Sequence, residues 1–262
     1  MPRSDIDPVV NDKFEPAVVG TQSAFRALSI LRAFSSHQPA LSGPEVADKF
    51  GFSLPTAYRL LRALEAEQFL VFDRVTRKYR PGPEIVRLAG VMLQNDDVVA
   101  QTQTSLSRIR ALTGETVTFF WRLGNERTCV QEKVSPHRLR IETGVGVHYP
   151  LTRGAPGKAL LLALDEATVR DIAADADVAT PVRGISGLLV ELAASRERGY
   201  TMSVGETIQG AVSIAAPIPW LHEGLATFSV TAPEPRFGPR QREAAARTLL
   251  EEMERLRVAL HR

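Results

Sequence analysis

The residues with the clearest chemical purpose lie in SLPTAYRLLRALEAEQFL, positions 53–70. Arg59 and Arg62 carry guanidinium groups that reach phosphate oxygens or guanine edges, and Ser53, Thr56 and Tyr58 carry hydroxyls that bond phosphates or base edges. Ala57, Leu60, Leu61 and Leu64 recur at helical spacing as one apolar stripe, and Pro55, Arg59, Arg62 and Ala66 point the opposite way. Small residues at the front of such a helix let its backbone amides approach a phosphate. Taken alone, the stretch is equally a surface helix with a solvated basic face. A second cationic group follows: Arg74, Arg77, Lys78 and Arg80 around Asp73, in the turn-prone run DRVTRK. On an edge hairpin such charges guard against aggregation; beside a groove-reading helix they reach phosphates or the minor groove.

Other chemistry is missing. GAPGKA (154–159) fails as a phosphate loop, because Thr152 stands where glycine is needed and Ala159 follows the lysine. GVGVHY (144–149) ends in tyrosine and fails as a dinucleotide fingerprint. The histidines, at 37, 137, 148, 222 and 261, form no metal-binding or catalytic pair, no GxSxG occurs, and Cys129 sits in an apolar run that reads as core. No enzyme activity, metal or cofactor is expected. A single cysteine permits no intrachain disulfide, and no apolar run is long enough to span a membrane, so a cytoplasmic protein with no membrane partner is expected. The net charge is only +2, but residues 21–82 hold nine Lys or Arg against five Asp or Glu, an electrostatic footprint for a polyanion.

The elements that must position these groups read as follows. Residues 1–20 are polar and aperiodic, expected to be a disordered arm. Helical patterns cover 23–35, a stretch opened by Ser42 and Pro44, and a stretch opened by Ser53 and Pro55, with Gly51 as the break between the last two. Strands at 69–72 and from Tyr79, stopped by Pro81 and Gly82, complete a winged helix-turn-helix over 21–82. Residues 83–96 read as a linker helix whose apolar side, Ile85, Leu88 and Met92, needs a partner such as a second chain. From 97 to 262 the pattern is α+β: helices to about 113, near 156–164, 165–174, 186–198 and from Pro239, and strands at 115–123, 127–134, 139–151, 211–219 and 224–233. Strand alternation puts Ser213 on a face opposite Val212 and Ile214, and Thr227, Ser229 and Thr231 opposite Phe228 and Val230. A face of small hydroxyl residues suits a pocket for a small polar or carboxylate ligand, or simply a solvent-facing side of the sheet.

From 21 to about 260 the sequence resembles the IclR family of bacterial transcriptional regulators. The likeness rests on RLLRALEAEQFL, KYRPG, LTRGAPGKALLLAL, RERGYTMSVGE with the following GAVSIAAPI, and FSVTAP, in that order. The chain departs from the pattern at Gln68, where glycine is usual, at Pro81, where leucine is usual, and at Pro55. The resemblance implies a two-domain α+β regulator: an N-terminal winged helix-turn-helix, a linker helix, and a C-terminal GAF/PAS-like effector-binding and oligomerisation domain with an antiparallel sheet. It implies a homodimer or tetramer, each head placing residues 53–66 in a major groove of a pseudo-palindromic DNA operator, with repression the first expectation. It also implies an aromatic or short-chain organic acid as effector, met by Glu206, Ser213, Ser229, Thr231 and the backbone amides of Gly154 and Ala155. Two other classes compete: a DNA-binding architectural protein without ligand, and a small-molecule enzyme, for which no catalytic group is visible.

Overall fold

The computed structural model describes residues 21–35, 38–94, 97–175, 182–219 and 225–260, with no side-chain account for 92–100 or 260. The expected arm at 1–20 and the Met92 side chain fall outside these. The chain divides into two compact units between Asp97 and Val98.

The N-terminal unit holds α1 (Gln22–Arg32), α2 (Gly43–Phe50), α3 (Leu54–Ala66), β1 (Leu70–Asp73), β2 (Lys78–Pro81) and α4 (Pro83–Gln94). Ser42 opens α2 with a capping box: its hydroxyl accepts from the Glu45 amide at 3.3 Å, and its own amide donates to Glu45 Oε2 at 2.6 Å. Gly51, at φ +64°, ends α2 in the left-handed conformation that suits glycine. The same stop ends α3 without a glycine. Gln68 sits at φ +58°, its amide donates to the Glu65 carbonyl at 3.0 Å, and the Phe69 amide to the Leu64 carbonyl at 2.9 Å. Those two bonds are a Schellman motif, and the left-handed backbone there explains why glycine would be the ordinary residue. The apolar stripe of α3 closes a core with Ile30, Leu41, Val46, Leu70 and Tyr79. β1 and β2 pair antiparallel, Leu70 opposite Pro81 and Asp73 opposite Lys78, and an isolated bridge from Leu41 to Tyr79 adds a third edge.

The C-terminal unit is built on a six-stranded antiparallel sheet in the order β5-β4-β3-β8-β7-β6. Its strands are β3 (Thr116–Leu123), β4 (Glu126–Lys133), β5 (His148–Pro150), β6 (Thr201–Val204), β7 (Ala211–Pro217) and β8 (Ala226–Pro233). Val117, Phe119, Val212, Ile214, Phe228 and Val230 project from one face onto α5 (Asp97–Thr113) and α9 (Pro239–Leu260), whose Leu106, Ile109, Leu249, Met253 and Leu256 complete the main core. The register shift between Phe119 and Phe120 lets β4 carry one extra residue, Val130, and ordinary alternation turns Phe120 to the other face. There Ala215 packs on Ala155 and Ala159 of α6 (Gly154–Leu161). α7 (Glu166–Ala174) and α8 (Gly184–Arg198) pack behind α6 around Leu160, Val169 and Leu192.

Two expectations need correction. The run 139–151 is not one strand: only His148–Pro150 pairs, because Gly144 at φ +89° and Gly146 at φ +83° take the chain out of extended geometry before it. Thr201–Val204, not expected as a strand, pairs with β7 and forms the sheet edge.

Candidate nucleic-acid interface and effector pocket

In the N-terminal unit, Ser53, Tyr58, Arg59, Arg62, Arg74 and Arg77 are exposed, and Thr56 and Lys78 are half-buried. The Ser53 hydroxyl gives no cap bond to α3 and pairs with the Thr56 hydroxyl at 2.9 Å. Arg59 and Arg62 form no ion pair with the described residues, nor do Arg74 and Arg77, so four guanidinium groups are available to an external anion. Asp73 Oδ1 accepts from the Val75 and Thr76 amides at 2.9 and 3.2 Å, which folds the wing tip, and Arg77 closes it at φ +56°. Two of the eight residues also have internal work. Lys78 Nζ donates to Glu45 Oε1 at 2.7 Å, tying the wing to the start of α2, and this pairing with the Ser42 bonds holds the Glu45 carboxyl down to about 2. The Tyr58 ring lies so close to Gly43 that a Cβ there would be 2.5 Å from its Cζ, so the aromatic ring also locks α2 against α3.

In the C-terminal unit, the sheet face away from the main core carries a cleft enclosing about 400 Å³, part of it open to solvent. Its floor is Ser213, Ser229 and Thr231, its wall Phe120, Arg127 and Tyr149, and its rim Gly154, Ser203, Glu206 and Thr207. The hydroxyls are paired across strands: Ser213 with Thr231 at 2.9 Å, and Ser229 with Thr118 at 2.6 Å. All are buried, so this side of the sheet does not face solvent. Five of the six residues expected at an effector site line the cleft together; Ala155 is fully buried just behind Gly154.

The amides at the start of α6 are engaged from within. Gly154 N–H donates to Glu206 Oε2 at 2.8 Å, and Ala155 N–H to Ser203 Oγ at 2.8 Å. The protein's own carboxylate thus occupies the position where a helix N-terminus favours an anion. The other oxygen of Glu206 accepts from Lys158 at 2.7 Å, and Lys158 Nζ also donates to Glu191 Oε1 at 2.6 Å and to the Met202 carbonyl at 3.1 Å. Gly154 itself, at φ +76°, takes a backbone shape that disfavours any side chain, and a Cβ there would lie 2.5 Å from Thr207 Oγ1. Among the described residues no cluster of His, Cys, Asp and Glu is placed to hold a metal, and no helix is long and apolar enough to cross a membrane.

A three-helix head with a β-wing, followed by a hydroxyl-floored cleft, matches two family descriptions. The bacterial transcriptional regulator IclR C-terminal domain covers residues 90–256, and the IclR helix-turn-helix domain covers 23–74. The chain belongs to the IclR family. It is a DNA-binding transcriptional regulator with an effector-binding C-terminal domain, and not an enzyme. Over 233 residues it is 31% identical to the HTH-type transcriptional regulator Rv1719 of Mycobacterium tuberculosis, spanning 88% of this chain and 89% of that one. The IclR transcriptional regulator from Alicyclobacillus acidocaldarius aligns at a TM-score of 0.79 and 24% identity, over 90% of this chain and 97% of that one. An IclR homologue from Microbacterium hydrocarbonoxydans, complexed with 4-hydroxybenzoate, aligns at 0.73 and 17% identity, over 90% and 99%. At these identities the structures speak for the fold.

Sequence reasoning about this IclR-family chain missed the aromatic wall of the cleft, Phe120 and Tyr149, and polar residues in and behind it, among them Arg127, Ser203, Thr207 and Lys158. For Arg127 a signal existed. Strand β4 alternates, and Arg127 and Cys129 share its buried face. For Lys158 the signal was an apolar sequence on both sides of a lone cation.

Proposed function

We propose that this regulator binds a pseudo-palindromic operator as a homodimer or tetramer, with residues 21–82 as the DNA head, 83–96 as linker and 97–262 as effector-binding and oligomerisation domain. Each α3 enters a major groove. Arg59 and Arg62 reach base edges or phosphates, Ser53 and Thr56 meet the backbone beside the helix N-terminus, and Tyr58 contacts it from its exposed edge. Arg74 and Arg77 hold phosphates flanking the groove, and Lys78 adds charge while it braces the wing. The pairing of chains is supported by α4, where Val86 is 73% exposed and Leu88 and Val91 are also exposed, an apolar surface that a second copy would cover. A protein with such a function works in the cytoplasm.

The effector is a small organic acid, aromatic or short-chain, held over Ser213, Ser229 and Thr231 with Gly154 and Glu206 at its rim and Ala155 supporting Gly154 from behind. The observation that carries this is the cleft behind the sheet, floored by buried hydroxyls and rimmed by charge. That one solved homologue was crystallised with 4-hydroxybenzoate agrees with it. The ligand acts by favouring one arrangement of the paired heads, and a preference of about 1–3 kcal/mol changes operator affinity roughly 5- to 150-fold. The test is selection of genomic fragments by the purified protein at physiological salt, followed by footprinting. A short palindrome bound far above bulk DNA supports the reading; binding without preference that vanishes as salt rises refutes it. With the operator in hand, replacing Ser213 and Ser229 by leucine should abolish effector response and spare operator binding.

A further inference from the structure

The Arg127 guanidinium has a free edge that the roles above leave unused. The residue is 2% exposed. Its Nη1 donates to the carbonyls of Pro150 and, at 2.8 Å, Arg153. Its ring-facing surface lies over Phe120 and Tyr149, 5.4 and 5.2 Å from their centroids. Nε is buried with no hydrogen-bond partner, and Nη2 donates to no described residue. That Nε/Nη2 edge is one with which other arginines of this chain grip carboxylates. Arg236 holds Glu115 at 2.6 Å from Nε and 2.8 Å from Nη2, Arg257 holds Glu254 in the same way, and Arg170 sets both nitrogens on one oxygen of Glu166. Arg127 is the most buried of the four and offers the edge to no carboxylate.

A second group nearby is also unsatisfied. Thr207 Oγ1 is buried without a partner. Both converge on the bare side of Gly154: a Cβ there would lie 2.5 Å from Thr207 Oγ1 and 3.0 Å from Arg127 Nη2. The glycine keeps open the space that these donors face. Glu206, the acid that lines the cleft, is committed to Gly154 N–H and Lys158. Lys158 faces two carboxylates, so among the described residues of the site Arg127 is the cation whose fork faces no carboxylate.

Building on the effector-pocket reading above, we propose that Arg127 is the anion receptor of the cleft. It takes the carboxylate of a monocarboxylic effector through its Nε/Nη2 edge, with the Thr207 hydroxyl as the third donor and the effector's hydrocarbon body against Phe120 and Ile208. One free fork takes one carboxylate, and a second would face the Glu206 carboxylate at the rim, so monocarboxylates are selected over dicarboxylates. Burial lowers the guanidinium to about 9, which still leaves it protonated at neutral pH.

The test uses the full chain and matched probes: benzoate, 4-hydroxybenzoate and butyrate, each beside its primary amide, with phthalate and succinate as dicarboxylates. Binding is read by calorimetry and thermal shift at neutral pH. We expect at least one monocarboxylate to bind at millimolar concentration or better, with its amide and the dicarboxylates weaker by about tenfold or more, since a charge-assisted bidentate pair is lost. Arg127→Lys keeps a donor for the Pro150 and Arg153 carbonyls but loses the fork, and it should lower acid affinity by a similar factor while amide affinity and operator binding stay put. Thr207→Val should cost several-fold. The acid-to-amide comparison on the unaltered protein needs no variant to fold. If amides bind as well as acids, or Arg127→Lys binds acids undiminished, the assignment to Arg127 is wrong. In that case Ser213→Leu still decides the pocket: loss of all binding keeps the cleft as the ligand site. If no probe binds, or Ser213→Leu changes nothing, the cleft reading falls and the proposal with it.

Discussion

Replacing Lys158 by methionine tests whether the ion cluster behind α6 holds the C-terminal unit together. The side chain is 1% exposed and its ammonium spends three bonds on Glu191, Glu206 and the Met202 carbonyl. Methionine fills similar volume without charge and strands both carboxylates. Removing one partner of a buried pair costs about 3–5 kcal/mol. Here Glu191 retains 24% and Glu206 15% exposure, so water relieves part of the loss and the expected cost falls to about 2–4 kcal/mol. For a unit of this size that lowers its melting temperature by roughly 5–15 °C. Both tryptophans, Trp121 and Trp220, fall on this side of residue 97 in the sequence, so their fluorescence during urea or thermal unfolding reports this unit. The triple variant Lys158→Met, Glu191→Gln, Glu206→Gln should recover more than half of the loss, because the charges leave together. A single-variant cost below about 1 kcal/mol, or a triple variant no better than the single, would refute the argument.

Three further outcomes are expected in the N-terminal unit. Gln68→Gly relieves a left-handed backbone that costs a non-glycine residue about 1–2 kcal/mol, offset in part by glycine's greater unfolded-state entropy. The net gain of about 0.5–1 kcal/mol should raise hydrogen-exchange protection of the Phe69 amide roughly two- to fivefold. Gly82→Ala would set a Cβ 2.2 Å from the Gln68 carbonyl oxygen, where the wing joins α3, so operator affinity should fall by about tenfold or more with effector binding unchanged in calorimetry. Glu45 titrates lower folded, at about 2, than its ordinary 4.5, so its stabilisation is present above about pH 4.5 and is lost as pH falls toward 2. Both partners are about 40% exposed, so the advantage over Lys78→Met is at most about 1 kcal/mol at pH 7. It should shrink through that window, as seen in exchange of the Tyr79 amide.

The head of the molecule was legible because its signals are local. Ser42 and Pro44, Gly51, and Ser53 and Pro55 mark helix ends by chemistry within four residues, and the stripe on α3 has only one way to face a core. The C-terminal sheet was legible where strands are long and alternate, as in β7 and β8. It failed where length or partner decided. LRIETGVGVHYPL has strand-like composition, yet its first nine residues join no strand ladder and meet the sheet only through isolated bonds such as Gly146 N–H to the Cys129 carbonyl at 2.7 Å, and TMSV is too short to announce itself. The hydroxyl floor followed from alternation, but the charged parts of the cleft did not. Composition gives no means of knowing which of 32 basic residues is buried, since that depends on carbonyls, amides and acids brought in from three separate segments, 150–155, 191 and 202–206.

The paired hydroxyls under the cleft have a property their charged neighbours lack. A serine or threonine O–H is donor and acceptor at once, and turning it about the C–O bond exchanges the two roles. Ser213 with Thr231, and Ser229 with Thr118, can therefore reverse the direction of their bonds to meet either kind of group. Such a floor is ambidextrous: it tolerates a hydroxyl, an ether or a carbonyl on the visiting molecule with little preference. Arg127 only donates, and the Glu206 carboxylate only accepts. Discrimination thus belongs to a handful of rim side chains, and a change at one of them could retune which metabolite the regulator hears without remaking the sheet beneath.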